Sequence, residues 1–117
     1  MSLYREKYQA LVTLLEQLRS DATTTQIDIP ELRRRVASLK QLFAKEIVPL
    51  ADRDSRVQSY QTEMSKQLRL LEIDVMFFQG ARQASTIETR LQTISDRLTT
   101  LIQYCKAILQ PEAEGEK

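Results

Sequence analysis

The chain has 117 residues, a formal net charge of +1, two glycines and three prolines. This length can bury one hydrophobic core without metal or disulfide bonds, and the scarcity of turn-forming residues favours a few long helices over many strands. We therefore predict an all-α protein with a single domain over residues 1–110, followed by a disordered acidic tail over residues 111–117. The near-neutral charge gives no reason to expect binding to nucleic acid or to an acidic membrane surface.

The sequence contains no histidine, and this excludes several kinds of catalytic and metal site. Histidine is the usual general base, a common zinc ligand and a required ligand in ferritin-like di-iron bundles. Two glycines cannot build a phosphate-binding loop, and the single Cys105 can form neither an intrachain disulfide nor a thiolate zinc site. We expect no catalytic residue, no cofactor and no metal.

Nothing in the chain predicts a membrane span or a secretory leader. The longest uninterrupted apolar run, residues 75–78, is far too short to cross a bilayer. The first residues are charged and lack a long apolar core, so they do not match a signal peptide. We expect a cytoplasmic protein.

Two amphipathic helices are predicted in the first half of the chain. The first covers about residues 3–22 and ends where a run of threonines begins. The second starts at Asp28, because Asp28-Ile29-Pro30-Glu31 supplies a capping oxygen and a proline at the first helical positions. Pro49 should end or kink this helix near Ile47, since proline lacks a backbone donor and clashes with the preceding turn.

The third predicted helix begins near Asp54 or Ser55, runs to about Arg82 and is apolar on two sides. Its first stripe, at steps of three and four, is Val57, Tyr60, Met64, Leu68, Leu71, Val75 and Phe78. A second set, Leu70, Ile73 and Phe77 with Met76 nearby, lies roughly opposite and only in the C-terminal half. The helix is longer than the first two, and Gly80 is the natural place for it to end or bend.

A helix needs only one apolar face to join a core, so the second face has two interpretations. In the structural interpretation, neighbouring helices cover both faces. In the functional interpretation, part of Leu70, Ile73, Met76 and Phe77 stays accessible as a docking patch for a protein partner. Gln79 and Arg82 would then supply a polar rim. The sequence leaves both interpretations open.

The fourth predicted helix carries the most regular stripe of the chain. It starts at a Ser85-Thr86-Ile87-Glu88 capping box, similar to the one at Ser55-Arg56-Val57-Gln58 before the third helix. Its stripe, Ile87, Leu91, Ile94, Leu98, Leu101, Cys105 and Ile108, resembles a coiled-coil seam. Four amphipathic helices with short connections predict an antiparallel four-helix bundle with a long third helix. The alternative is an extended pair of helical hairpins that completes its core as a homodimer.

Several polar features have ordinary structural interpretations. Arg33, Arg34 and Arg35 are interpreted as a solvated helix face rather than a phosphate-binding patch. Glu72 and Asp74 lie about 200° apart around a helix, so they form two flanking polar strips and no catalytic pair.

Helical mutases of the chorismate type work without histidine. The residues that could hold the dianionic substrate of such an enzyme are Arg5, Arg69 and Gln83. Nothing in their spacing singles these three residues out.

Three stretches resemble the PatD family of filamentous cyanobacteria: residues 66–83, the segment from Arg90 to Cys105, and the opening Tyr8-Gln9-Ala10-Leu11. The resemblance implies a small cytoplasmic regulator of heterocyst frequency, linked to cell division through the tubulin-like protein FtsZ, whose assembly such proteins modulate. The resemblance gives no functional residues that can be assigned to individual positions of this sequence. The functional hypothesis is therefore a non-enzymatic regulator that binds FtsZ. The alternative is a self-associating structural or adaptor bundle with another protein partner.

Overall fold

The computed structural model describes residues 3–24, 28–51 and 53–110, and these ranges are helical almost throughout, with no strand. The helices are α1 (Leu3–Thr24), α2 (Ile29–Leu42), α3 (Ser55–Gly80) and α4 (Ala84–Leu109). A π-helical turn, Phe43–Ile47, and a 3₁₀ turn, Val48–Ala51, follow α2. The predicted all-α four-helix fold is confirmed, and α3 is as long as α4, with 26 residues each. The predicted tail lies outside the described residues.

Each helix runs antiparallel to the next, and α4 returns to pack against α1 as well as α3. Phe77, near the end of α3, contacts Arg90, near the start of α4. At the other end of the bundle, Arg56 donates a hydrogen bond to the Ala107 carbonyl. Arg5 of α1 donates to the Leu109 carbonyl over 2.9 Å. The helices therefore alternate in direction around one core.

All four helices contribute buried side chains to a single core cluster. The buried members are Tyr8, Leu11, Leu15, Leu18, Leu32, Val36, Leu39, Phe43, Ile47, Ala51, Val57, Met64, Leu68, Leu71, Val75, Phe78, Ile94, Leu98, Leu101, Ile102, Cys105 and Ile108. Because this core closes within one chain, the predicted alternative of open hairpins that need a second copy is wrong. Ile87 and Leu91 are only partly buried, so the other helices cover α4 less completely near the α3–α4 turn.

The helix starts follow the predictions in part. Asp28 caps α2 as expected, accepting a hydrogen bond from the Glu31 amide over 3.0 Å. The cap of α3 is Asp54, whose carboxylate accepts from two backbone amides, so the capping box at Ser55 is wrong. A carboxylate one residue upstream makes the stronger, charge-assisted cap. The capping box at Ser85 is also wrong, because α4 begins at Ala84 and Ser85 already lies inside its first turn.

The kink predicted at Pro49 appears as the π-helical turn and the 3₁₀ turn after α2. The buried amide of Gln61, on α3, donates one hydrogen bond to the Ile47 carbonyl and one to the Tyr8 hydroxyl, each over 2.8 Å. Gln61 is 6% exposed, and Tyr8 is fully buried. One side chain therefore joins α3 to α1 and to the irregular end of α2.

We expect Gln61→Ala to lower the free energy of unfolding by about 2–4 kcal/mol, because it removes a hydrogen bond from each of two buried partners. Urea denaturation followed by circular dichroism measures this change. Gln103→Ala, at an exposed position of α4, is the matched control and should change stability by less than about 0.5 kcal/mol. Equal effects of the two substitutions would contradict a structural role for the Gln61 amide.

Two buried groups make stability depend on alkaline pH. Burial raises the pKa of Tyr8 from 10.0 to about 12 and the pKa of Cys105 from 9.0 to about 12. The unfolded chain loses these protons first. The stabilisation is therefore fully present below pH 9 and is lost as the pH rises toward 12.

We expect the free energy of unfolding to fall between pH 9 and pH 11 by a smaller amount in Tyr8→Phe than in wild type, since the variant lacks one of the groups whose pKa folding raises. Urea titrations of both proteins at the two pH values measure the difference. An identical decline in both proteins would show that Tyr8 does not contribute. Comparing declines, rather than absolute stabilities, removes the effect of the lost hydrogen bond.

Candidate functional site

The C-terminal part of α3 carries large apolar side chains that no neighbouring helix covers. Ile73, Met76 and Phe77 are 38%, 65% and 55% exposed. Val75 and Phe78, beside them in sequence, are buried. We call Ile73, Met76 and Phe77 the α3 face. The structural interpretation, in which neighbouring helices cover both sides of this helix, is therefore wrong.

Two ion pairs lie on the flanks of α3. The Glu72 carboxylate lies 2.8 Å from the Lys40 ammonium on α2, and the Asp74 carboxylate lies 2.8 Å from Nε of Arg97 on α4. The two carboxylates therefore occupy opposite flanks, as the sequence predicted. Ile73 lies between them in sequence and points away from the bundle, since a helix turns about 100° per residue.

The structure brings together some of the residues predicted for the docking patch. Ile73, Met76 and Phe77 share the outward side of α3, and Leu70 is half-buried at the margin of this side. Gln79 and Arg82 are exposed, the first in the last turn of α3 and the second in the turn that follows. Among the described residues, neither of these two makes a hydrogen bond or an ion pair that links it to the α3 face.

Arg90, which the sequence reasoning missed, contacts the α3 face directly. Its guanidinium carbon lies 4.9 Å from the centroid of the Phe77 ring, a cation–π geometry worth about 0.5–1 kcal/mol at an exposed site. Its Nε is buried and has no hydrogen-bond partner within the described part of the chain. Arg90 belongs to α4, so a helical pattern confined to α3 carries no signal for it.

A groove of about 570 Å³ lies between α2 and α3, next to Met76. Arg33, Arg34 and Ala37 line it from α2, and Val75 and Met76 line it from α3. This groove extends the apolar surface of the α3 face toward α2. The basic residues that line this groove belong to the arginine run at residues 33–35. The interpretation of that run as a solvated helix face does not predict the groove.

The three arginines of the run at residues 33–35 differ in whether they form ion pairs. Arg34 forms an ion pair of 2.7 Å with Glu31, and Arg35 forms one of 2.8 Å with Asp21 of α1. Hydrogen bonds from Arg34 lower the pKa of the Glu31 carboxyl. Arg33 is exposed and forms no ion pair with any described residue. One guanidinium of the run is thus available at the groove.

A smaller groove, of about 270 Å³, lies between α1 and α2. Leu14, which is 46% exposed, lines it together with Arg34 and Arg35. Both of these arginines are already paired with carboxylates, so this groove offers fewer free polar groups than the one beside Met76.

The structure does not assemble the predicted mutase-type site. Arg5 contacts Leu109 at the end of α4, whereas Gln83 directly precedes the start of the same helix. A helix of 26 residues separates these positions by about 39 Å. The three candidates Arg5, Arg69 and Gln83 therefore cannot hold one small substrate.

Two features are absent from the residues that the structure describes. No cluster of three or more acidic, cysteine or histidine side chains is arranged to hold a metal ion there. Within the same residues, none of the helices combines the length and apolar character that crossing a membrane requires.

Comparison with known proteins gives one family match. A family model described as the CRR41 C-terminal domain matches residues 10–106, a span that includes the whole α3 face. No curated protein and no solved structure gives a significant match. The description of the family names a domain and states no ligand, partner or activity.

We expect Phe77→Glu to fold and to unfold within about 1 kcal/mol of wild type, because Phe77 is half exposed and the new carboxylate lies next to Arg90. Phe78→Glu, one residue away, buries a charge in the core and should lose more than about 3 kcal/mol. Circular dichroism and urea denaturation of both variants measure the difference. If Phe77→Glu is as destabilising as Phe78→Glu, the α3 face is not free.

Proposed function

This chain belongs to the CRR41 C-terminal domain family, and within that family we propose that it is a non-enzymatic protein-binding module. The α3 face is its docking surface. The observation that carries this proposal is the exposure of Ile73, Met76 and Phe77 on one side of a helix whose other side fills the core. Such an unpartnered apolar face, bordered by polar side chains, is typical of a helix-docking site.

Energetics support the proposal. Complete burial of an aliphatic or aromatic side chain is worth about 1.5–3 kcal/mol, so covering the remaining exposed part of these three residues yields several kcal/mol. Phe77 is the natural centre of the contact, since buried aromatic residues often dominate the binding energy of interfaces. Its ring already rests against Arg90, which reduces the conformational entropy that binding removes.

We propose FtsZ as the partner, on the strength of the resemblance to the PatD family. The first resembling stretch, residues 66–83, contains the entire α3 face. In this proposal the protein is a cytoplasmic regulator of heterocyst frequency. It binds FtsZ through the α3 face and alters the growth or bundling of FtsZ filaments.

Self-association is the second candidate function. The stripe of α4 that resembles a coiled-coil seam is buried from Ile94 to Ile108, so it is not available to a second copy. Self-association therefore has to use the α3 face or another outer surface. Light scattering during size-exclusion chromatography, repeated over a range of concentrations, separates a monomeric adaptor from a self-assembling protein.

We expect wild type to pellet with FtsZ filaments formed with GTP, and Phe77→Glu to remain in the supernatant, because the charge opposes burial of the α3 face. Val48→Glu is the matched control. Val48 is also an exposed apolar residue, at 44%, but it lies in the 3₁₀ turn, so this variant should pellet like wild type.

Two results of this experiment would count against the proposal. If folded wild type leaves FtsZ filaments unbound, FtsZ is not the partner. If Val48→Glu abolishes sedimentation as completely as Phe77→Glu, binding does not depend on the α3 face. Circular dichroism of each variant is measured first, so that loss of binding is not confused with loss of folding.

A further inference from the structure

We infer that the partner segment which occupies the α3 face is an acidic amphipathic helix. This inference rests on the proposed function, since it assumes that the α3 face is a docking surface, but it does not depend on FtsZ being the partner. It follows from the charges and from the shape of the surface around Ile73, Met76 and Phe77.

The surroundings of the α3 face hold an excess of uncompensated positive charge. Four carboxylates of α2 and α3, Glu31, Glu63, Glu72 and Asp74, are each paired with a basic side chain, and Glu88 at the start of α4 is exposed and has no ion pair with a described residue. Arg33, Arg69 and Arg82 are exposed and form no ion pair with any described residue. The face is therefore bordered by guanidinium groups whose counterions must come from outside the described chain.

The guanidinium groups lie on several sides of the apolar residues. Arg69 precedes Ile73 by one helical turn and Met76 by two, so it lies on the same side of α3. Arg33 lines the groove between α2 and α3 together with Met76. Arg90 contacts Phe77 from α4. An apolar centre with basic groups around it complements an apolar stripe that has carboxylates on both sides.

The shape of the surface favours a helix as the bound segment. Ile73, Met76 and Phe77 stand at the three- and four-residue spacing that forms a ridge on α3. The groove beside Met76, with Val75 and Ala37 among its lining residues, runs along the α2–α3 boundary. A second helix can place its own apolar stripe against such a ridge and groove.

A second copy of this chain fits the surface less well. In a dimer formed through two α3 faces, the unpaired arginines of one copy, including Arg69, would lie close to the unpaired arginines of the other copy. Like charges facing each other across an interface cost binding free energy. An acidic segment gains from the same groups, so the charge pattern selects it.

The test selects binders without assuming their sequence. A display library of random helical peptides of roughly four turns is panned against immobilised, folded wild-type protein. We expect the enriched peptides to carry a net negative charge and apolar residues at three- and four-residue spacing. Enrichment of basic or neutral peptides, or of none, would overturn the inference.

Variants locate the binding of the enriched peptides. We expect Arg33→Glu combined with Arg69→Glu to weaken peptide binding about tenfold, and Phe77→Glu to abolish it. Lys45→Glu combined with Arg53→Glu makes the same change in net charge at exposed positions away from the α3 face. This control should bind within about twofold of wild type. If this control loses as much peptide binding as the Arg33 and Arg69 double variant, the effect comes from overall charge alone. That result would contradict the inference.

Two further measurements separate the other outcomes. Vesicles of equal parts phosphatidylserine and phosphatidylcholine are sedimented with wild type and with Phe77→Glu. Pelleting of wild type alone would assign the α3 face to a lipid surface and overturn the inference. If acidic peptides bind but FtsZ filaments do not, the inference stands and the choice of FtsZ fails. If FtsZ filaments bind while no acidic peptide is selected, the inference fails and the proposed function stands.

Discussion

The two hydrogen bonds donated by the Gln61 amide are the interaction on which the arrangement of this bundle depends. Pro49 prevents α2 from continuing as a regular helix, and the chain passes through a π-helical turn and a 3₁₀ turn instead. Such a segment leaves backbone carbonyls that need partners, and burial makes an unpaired one expensive. Gln61 satisfies the Ile47 carbonyl and the Tyr8 hydroxyl together. The irregular end of α2, the start of α3 and the first half of α1 are thus fixed to one another.

Hydrophobicity decides which side of α3 faces the core, and charge agrees with it. Both sides of the C-terminal half are apolar, but only the stripe from Val57 to Phe78 continues through the N-terminal half, so burial favours that side. Glu72 reaches Lys40 on α2 and Asp74 reaches Arg97 on α4. A half-turn rotation of α3 would break both ion pairs and leave the largely buried Asp74 without its partner, which is costly. The exposure of Ile73, Met76 and Phe77 is therefore a consequence of the longer apolar stripe on the other side of the helix, and the two ion pairs reinforce this orientation.

The sequence predicted most of what depends on a single helix and missed contacts between helices. The apolar stripes, the cap at Asp28 and the kink near Pro49 follow from spacing and local chemistry, and the structure agrees with them. The cap at Asp54 was missed, because a capping-box pattern one residue later looked equally good. The choice between a covered and an open α3 face needed the positions of the neighbouring helices. Arg90 and Arg33 border the candidate site from neighbouring helices, so no periodicity within α3 identifies them.

The hydrogen bond from Arg5 to the Leu109 carbonyl places the first turn of α1 beside the last turn of α4. The outer ends of α1 and α4 therefore lie side by side, at the pole opposite the contact between Phe77 and Arg90. A fluorescent protein, an affinity tag or another domain joined next to either of these helix ends would start at this pole. The bundle is thus suited to being tethered from this pole, since an attachment made there starts at the opposite end of the bundle from the α3 face.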